Sequence, residues 1–557
     1  MIALNATEQA DESLTRQPDQ AGTHRIILIL LLIVVSAAAA AIVLDATSFA
    51  PWAFSDGTGY LMLARNVLSG RGLGLMRASG DFQPLSMHPP LYPLSLAFLG
   101  LSGAELLTVA RWLDAGLFAA TVFIIGATIF WVTRNTWLSL AAASITLVSP
   151  SLIGLYSGTM SEPLYFVLGL ASFLLILVFL ERDQRWLLVL AGLTAGATVV
   201  TRYLGVAYVG AGILGLLILS SQSSRRRITD TIVYMLLAAA PTVLWFGWVN
   251  AQGGADAPRQ WLFDLSNLWA RTEPIRGGVV AEVWNWIPFA AANAVPYRSQ
   301  LGTVAVMVVI FGVFLALALS KLHRTTALRE NRAVQSVALQ TATILIYLLI
   351  LSAVFLFGKP PLDAGDIDQR ILTPVYLAMI LLVFSAIPFA LEAWPKRRWI
   401  IAIPLVAAAM AIAWYLPKSL QTSSDLREES RGFTSATWQN SETVRSAAAL
   451  DQDIPLISNE STAIMFHLDR PAYDIPELLR GEPLSAFAQF GAGDFGEEQI
   501  FREQGAALVL FDSAFWQLHP MYGDQTQARL QQLIEGLDLY ADLADGAIYF
   551  YPSDRQG

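Results

Sequence analysis

The chain contains no cysteine. Disulfides, thiolate metal sites and cysteine nucleophiles are therefore excluded, and the redox compartment is left open. Charge is scarce too: 14% of the 557 residues are Asp, Glu, Lys or Arg, against roughly 25% in an ordinary soluble chain. Five histidines are scattered along the chain, a poor basis for a structural zinc site. There is no Gly-rich loop ending in Gly-Lys-Ser/Thr, no Gly-x-Ser-x-Gly elbow and no His-Glu-x-x-His segment. Those absences remove the usual signatures of nucleotide-phosphate binding, esterase chemistry and zinc proteolysis. A basic excess is also missing. The net charge is −9, and residues 417–557 hold 9 basic and 22 acidic residues, leaving the first 416 at +4. An acidic tail behind a mildly basic body argues against nucleic acid as a partner. No internal repeat is visible, and no low-complexity tract beyond the run Ala37–Ala41.

What the chain does have is apolar sequence, 55% of it, gathered in long runs. Ile26–Leu44 covers 19 residues, about 28 Å as a helix and close to the hydrocarbon thickness of a bilayer. It is longer, and lies later, than the apolar region of a cleaved signal peptide, so it reads as a retained first span. Further runs near 105–131, 137–155, 162–180, 186–201, 203–220, 231–250, 301–320, 335–357, 371–390 and 399–416 bring the candidate spans to eleven. The fold class is thus a mainly α, polytopic membrane protein, with the lipid bilayer as an obligate partner. The basic connections are Arg134, Arg182 with Arg185, Arg225–Arg227, Lys321–Arg332 and Lys396–Arg398. All fall on one side of that count, which by the positive-inside rule is the cytoplasm. The chain is expected in the cell (inner) membrane, with its N-terminus cytoplasmic and residues 417–557 outside. Leu91–Leu101 is too short to span and reads as an amphipathic or re-entrant helix. It lies in a large first outer loop, 45–104, where Asp56–Ser69 looks like a short surface helix capped by Ser55 or Asp56.

Three regions follow: a cytoplasmic segment 1–25, a transmembrane domain 26–416, and an extracytoplasmic tail 417–557. The tail changes character at Pro417; residues 418–445 resemble a linker or surface helix. Strand-like pieces at Pro455–Ser458, Ala507–Phe511 and Ala547–Tyr551, with a helix-like Gln525–Leu537, indicate a small α/β domain.

Polar residues gather at the expected outer ends of spans. The first loop reads Ser55-Asp56-Gly57-Thr58-Gly59-Tyr60, then Ala64-Arg65-Asn66-Val67-Leu68-Ser69-Gly70-Arg71-Gly72, then His88-Pro89-Pro90-Leu91-Tyr92-Pro93. Asp56 suits either a helix cap or a general base for a hydroxyl acceptor. Ser161-Glu162-Pro163-Leu164-Tyr165 puts an acid at the start of a span, where the helix dipole also favours one. In Thr201-Arg202-Tyr203-Leu204-Gly205, Arg202 either snorkels to the interface or grips a phosphate. Arg370, ending Asp366-Ile367-Asp368-Gln369-Arg370, enters its span at the same level.

Taken in order, these motifs resemble the GT-C fold glycosyltransferases, in particular bacterial relatives of the protein O-mannosyltransferases and lipid A aminoarabinose transferases. The resemblance covers 26–220 well and 221–416 in general layout. It implies a GT-C bundle with a soluble addition. It also implies a polyprenyl-phosphate sugar as donor and a lipid, glycan or protein as acceptor, with transfer on the outer face and inversion. By match, Asp56 is the base, and Glu162 shapes or charges the acceptor site. Arg202, Arg370 and His88 hold the donor phosphate, with Tyr60 and Tyr203 lining the pocket. The mannosyltransferases carry Asp-Glu where this chain has Asp56-Gly57, so neither protein mannosylation nor a bound metal is implied, and no cofactor is expected. The competing readings are a transporter or flippase, which places ionisable groups near mid-membrane on repeated halves, and a non-catalytic anchor.

Overall fold

The computed structural model describes residues 17–76, 82–85, 88–252, 260–261, 268–289, 297–322, 330–359, 369–393, 398–475 and 505–550. In chain order the helices are α1 (Gln17–Ala46), α2 (Ser55–Leu68), α3 (Leu91–Gly100), α4 (Leu106–Thr133), α5 (Thr136–Leu147), α6 (Pro150–Tyr156), α7 (Glu162–Arg182) and α8 (Arg185–Val199). They continue as α9 (Val206–Leu219), α10 (Ser224–Ala251), α11 (Leu268–Asn285), α12 (Tyr297–Leu322), α13 (Arg332–Phe357), α14 (Gln369–Ala393) and α15 (Ala402–Glu429). Each apolar run read from the sequence is helical. Among the described residues seven helices are long and apolar enough to cross a membrane, or eight if the bent pair α5–α6 is counted as one span. The chain is a multi-pass membrane protein.

Three elements go beyond the sequence reading. The run 137–155 is broken: α5 and α6 meet at a 60° bend, because Pro150 holds Ser149 extended at ψ 114° and so out of the helix. The helix α15 continues through Pro417 to Glu429, where a linker or a surface helix was expected. Beyond the proline, Ser419 donates to the Val148 carbonyl at 2.6 Å and Ser423 to the Asp45 carboxylate at 3.0 Å, so packing holds that stretch. The connection 251–300 contains the 18-residue helix α11. Of the connection 358–370, residues 360–368 lie outside the described residues.

Contacts divide the chain into two compact units: residues 1–48, 86–92 and 111–427, and residues 49–85, 93–110 and 428–557. In the first, apolar side chains of α1, α4, α5, α6, α7 and α14 form one core around Phe118, Tyr156 and Phe166. Against α10, α8 places Gly192 and Gly196, one turn apart. A Cβ on Gly196 would lie 2.5 Å from the Ala238 carbonyl oxygen. Only glycine allows these backbones to approach so closely, a device suited to helices whose lipid neighbours are as apolar as leucine. The basic connections gather at one end of this bundle: Arg134, Arg182 and Arg332 lie on the Trp131 ring, and Arg226 pairs with Asp183 at 2.5 Å.

The second unit combines most of the first loop with the tail. After α16 (Ala436–Gln439) and α17 (Glu442–Ala448) come β5 (Leu456–Ser458), α18 (Ser461–Leu468), β6 (Ala472–Asp474), β7 (Ala507–Phe511), α19 (Ser513–Tyr522), α20 (Thr526–Leu533), β8 (Asp538–Leu543) and β9 (Gly546–Phe550). The numbers β1 to β4 belong to two short pairs, Gly74–Met76 with Phe82–Pro84 and Gln260–Trp261 with Gly358–Lys359. The sheet order is β6-β5-β7-β9-β8, with the first three strands parallel and β9 and β8 antiparallel. The period of two decides its faces. Ala507, Val509 and Phe511 pack with α17 and α18, while Ala506 and Leu508 pack with α19 and α20. The expected strands and the helix near 525–537 are present; β6 and β8 are additional.

The first loop joins this unit through backbone and charge. Ala53 bridges Gly432, and the Phe433 amide donates to the Ala53 carbonyl at 2.7 Å. Arg65 and Arg71 on and after α2 pair with Asp469 at 3.5 and 3.2 Å. Gly432 has φ +65°, and a Cβ there would run into the Ala53 carbonyl. Gly432→Ala is expected to cost about 2–4 kcal/mol, from strain plus overpacking. Gly70, at φ +76° with open space around it, serves as control at about 1 kcal/mol. Thermal unfolding of the detergent-solubilised chain reads both; equal losses would mean the junction is soft.

Candidate functional site

Glu162 opens α7, with Pro163 behind it in the first turn and Ser161 before it. Its carboxylate is buried, 2% exposed, and one oxygen, Oε1, receives two guanidiniums: Arg202 Nη1 at 2.8 Å and Arg370 Nε at 3.3 Å. Arg202 Nη1 also donates to Ser161 Oγ at 3.2 Å, and Ser161 Oγ to Glu162 Oε2 at 3.4 Å.

Each partner is delivered by local structure. Arg202 is held extended, φ −149° and ψ 133°, between the end of α8 and a 3-10 turn Tyr203–Gly205. Its amide is tied to Thr198 at 2.9 Å. Arg370 lies in the first turn of α14, beside Ile371, whose carbonyl accepts from the Tyr347 hydroxyl of α13. Two guanidiniums thus converge on one buried acid, with the arginines 22% and 31% exposed. Around it are hydroxyls with nothing to do: Thr159 Oγ1 and the Tyr165 hydroxyl are buried with no hydrogen-bond partner among the described residues. Buried polar atoms are ordinarily satisfied, so these two hydroxyls stand out beside the ion-paired group.

No protein-family model matches the sequence, and no curated protein matches it. Solved structures do match in fold. ArnT from Cupriavidus metallidurans in the apo state superposes with a TM-score of 0.52 at 12% identity, over 95% of this chain and 98% of that one. The same enzyme bound to undecaprenyl phosphate gives 0.52 at 13% identity with the same coverage.

The fold is GT-C.

Within this GT-C bundle the structure brings together Glu162, Arg202 and Arg370 from the sequence-derived set. His88 lies in the same unit, three residues before Leu91, whose amide donates to the Val200 carbonyl at 3.0 Å. The backbone carrying His88 is thus tied to the strand of chain leading into Arg202. Tyr203 points its chemistry elsewhere: its hydroxyl accepts from Trp245 Nε1 at 3.2 Å and its ring stacks on Phe246. Asp56 and Tyr60 belong to the other unit, both on α2. The N-cap of α2 is Phe54, so neither Ser55 nor Asp56 caps it; Asp56 stands half-buried in the first turn, and Tyr60 is buried. Nor is α2 a surface helix, since eight of its 14 residues are buried.

One residue escaped the sequence reading. Asp114, on α4, is 1% exposed and takes the Tyr92 hydroxyl on its two oxygens at 3.4 and 3.3 Å. It is near enough to Glu162 for the two charges to interact. The signal was present as a lone acid within an apolar run, which is rare in a span and marks function by default.

Proposed function

We propose that the chain is a membrane glycosyltransferase that moves a sugar from a polyprenyl-phosphate donor to an acceptor at the outer membrane face. What carries this reading is the convergence of Arg202 and Arg370 on buried Glu162, within the fold of a protein that binds undecaprenyl phosphate. A phosphodiester leaving group needs fixed positive charge where its own negative charge develops. Planar guanidiniums supply it with paired hydrogen bonds.

In the proposed reaction the Asp56 carboxylate takes the acceptor hydroxyl proton. The acceptor oxygen then attacks the anomeric carbon from the face opposite the phosphate, giving inversion. The bond from that carbon to the phosphate oxygen breaks, and its electron pair leaves with the polyprenyl phosphate. Arg202 and Arg370, with His88, hold that phosphate; Glu162 sets the position of both guanidiniums and the charge beside the acceptor. Tyr60 is proposed as a substrate contact, and Tyr203, held by Trp245 and Phe246, as support for the turn that carries Arg202. The domain order read from the sequence belongs to the same proposal, with 26–416 as the catalytic bundle and 417–557 outside. The positive-inside rule then places the Trp131 end in the cytoplasm.

The test is reconstitution in vesicles with a panel of polyprenyl-phosphate hexoses and pentoses and a crude glycolipid acceptor fraction. The expected result is a covalent sugar–acceptor product formed in step with free polyprenyl phosphate. Movement of the lipid-linked sugar across the membrane with no product would establish a flippase instead.

A further inference from the structure

At the end of the bundle away from Glu162, about 30 Å along the 21 residues of α7, four helices bring arginines together. Trp131 is the floor. The guanidiniums of Arg134, Arg182 and Arg332 lie 4.7, 5.0 and 5.2 Å from its ring centroid. Arg25 of α1 is close enough to act on Arg134 electrostatically. One carboxylate answers them among the described residues: Glu181, paired with Arg332 and with Arg134 at 3.9 Å. Four cations against one anion is a costly arrangement. Burial and then Arg332 depress the pKa of Arg134, with Arg25 and Arg182 adding to the effect against Glu181.

Ordinary causes do not account for all of it. Arg134 follows the last residue of α4 with φ 55°, a position where glycine is the usual choice and another side chain carries strain. A cation there and Arg182 at the end of α7 suit the negative ends of two helix dipoles. Arg332 is the first residue of α13, where the dipole disfavours a cation. The indole Nε1 of Trp131 is buried with no hydrogen-bond partner among the described residues, a donor left over beneath three guanidiniums.

We infer that this cluster holds the phosphate of an anionic phospholipid headgroup in the adjoining leaflet. It sits at the ends of membrane spans, where tryptophan and arginine meet the headgroups. Basic recesses between spans on the positive side are the usual receptors for anionic lipid. Guanidiniums supply paired donors to phosphate oxygens, and the indole N–H supplies one more. The inference is independent of the transferase reading, since it uses none of the residues placed at the other end.

The test uses the purified full-length chain in detergent, with phosphatidylglycerol, phosphatidylcholine or inorganic phosphate added, read by native mass spectrometry and thermal unfolding. Phosphatidylglycerol is expected to stay bound and raise the unfolding temperature, and phosphatidylcholine to do neither. Arg134→Gln with Arg182→Gln should weaken retention by about tenfold or more, taking roughly 1 kcal/mol per arginine near a charged surface. Arg225→Gln with Arg227→Gln, removing the same charge nearby, should leave it unchanged. Equal loss in both double variants, or no preference for phosphatidylglycerol in the unaltered chain, overturns the inference. Equal stabilisation by inorganic phosphate would make this a soluble-anion site and overturn the lipid assignment.

Discussion

Asp56→Asn is expected to lower sugar transfer by about 10²–10⁴-fold, the usual share of a general base, while leaving insertion and folding intact. The substitution is nearly isosteric. It removes the ability to take a proton together with the negative charge in the first turn of α2, whose N-cap is Phe54. A purely structural role would show as lost stability with turnover following it, whereas a change within about 1 kcal/mol is expected here, the scale of a first-turn acid. Turnover and thermal unfolding measured on one preparation separate the two. Full turnover in the variant removes Asp56 from the reaction.

Glu162→Gln should act on both stability and catalysis. A carboxylate that is 2% exposed and answers two guanidiniums cannot be neutralised quietly. Breaking a buried ion pair typically costs about 3–5 kcal/mol. Here the arginines are partly in water, which reduces the expectation to about 1–3 kcal/mol. The kinetic signature is more specific. With the acid gone, Arg202 and Arg370 keep their charge and lose the carboxylate that draws them together. Donor affinity is then expected to hold or tighten while kcat falls, by about 10²-fold if placement of the guanidiniums matters as other preorganised anion donors do. A rise in donor KM with unchanged kcat would mean that Glu162 itself contacts the donor, and the arrangement proposed here would be wrong.

The helical runs were legible in the sequence because a bilayer imposes a one-dimensional rule. About 20 apolar residues are needed to cross it, and every backbone group must be satisfied within the helix. The broken run at Ser149-Pro150 carried its own signal, proline restricting the residue before it. The persistence of α15 beyond Pro417 carried none, since bonds from Ser419 and Ser423 to residues hundreds of positions away hold it. Glu162, Arg202 and Arg370 were each visible as polar residues at span ends. That all three meet at one carboxylate oxygen was not, because helix packing sets rotation and depth. Asp114 was visible as an acid within an apolar run, but its companion, Tyr92, lies on a different helix and was not.

Composition, run length and loop charge thus suffice for a multi-pass membrane chain with an acidic tail, since the solvent acts on each segment separately. Contacts between distant segments lie beyond such rules. The union of the first loop with the tail through Ala53 and Gly432, the pairing of Arg65 and Arg71 with Asp469, and the two opposite arginine clusters exist only when segments far apart in the chain pack together. Such contacts depend on close fit and on charges seeking partners in a low dielectric, and neither is a property of any stretch read alone.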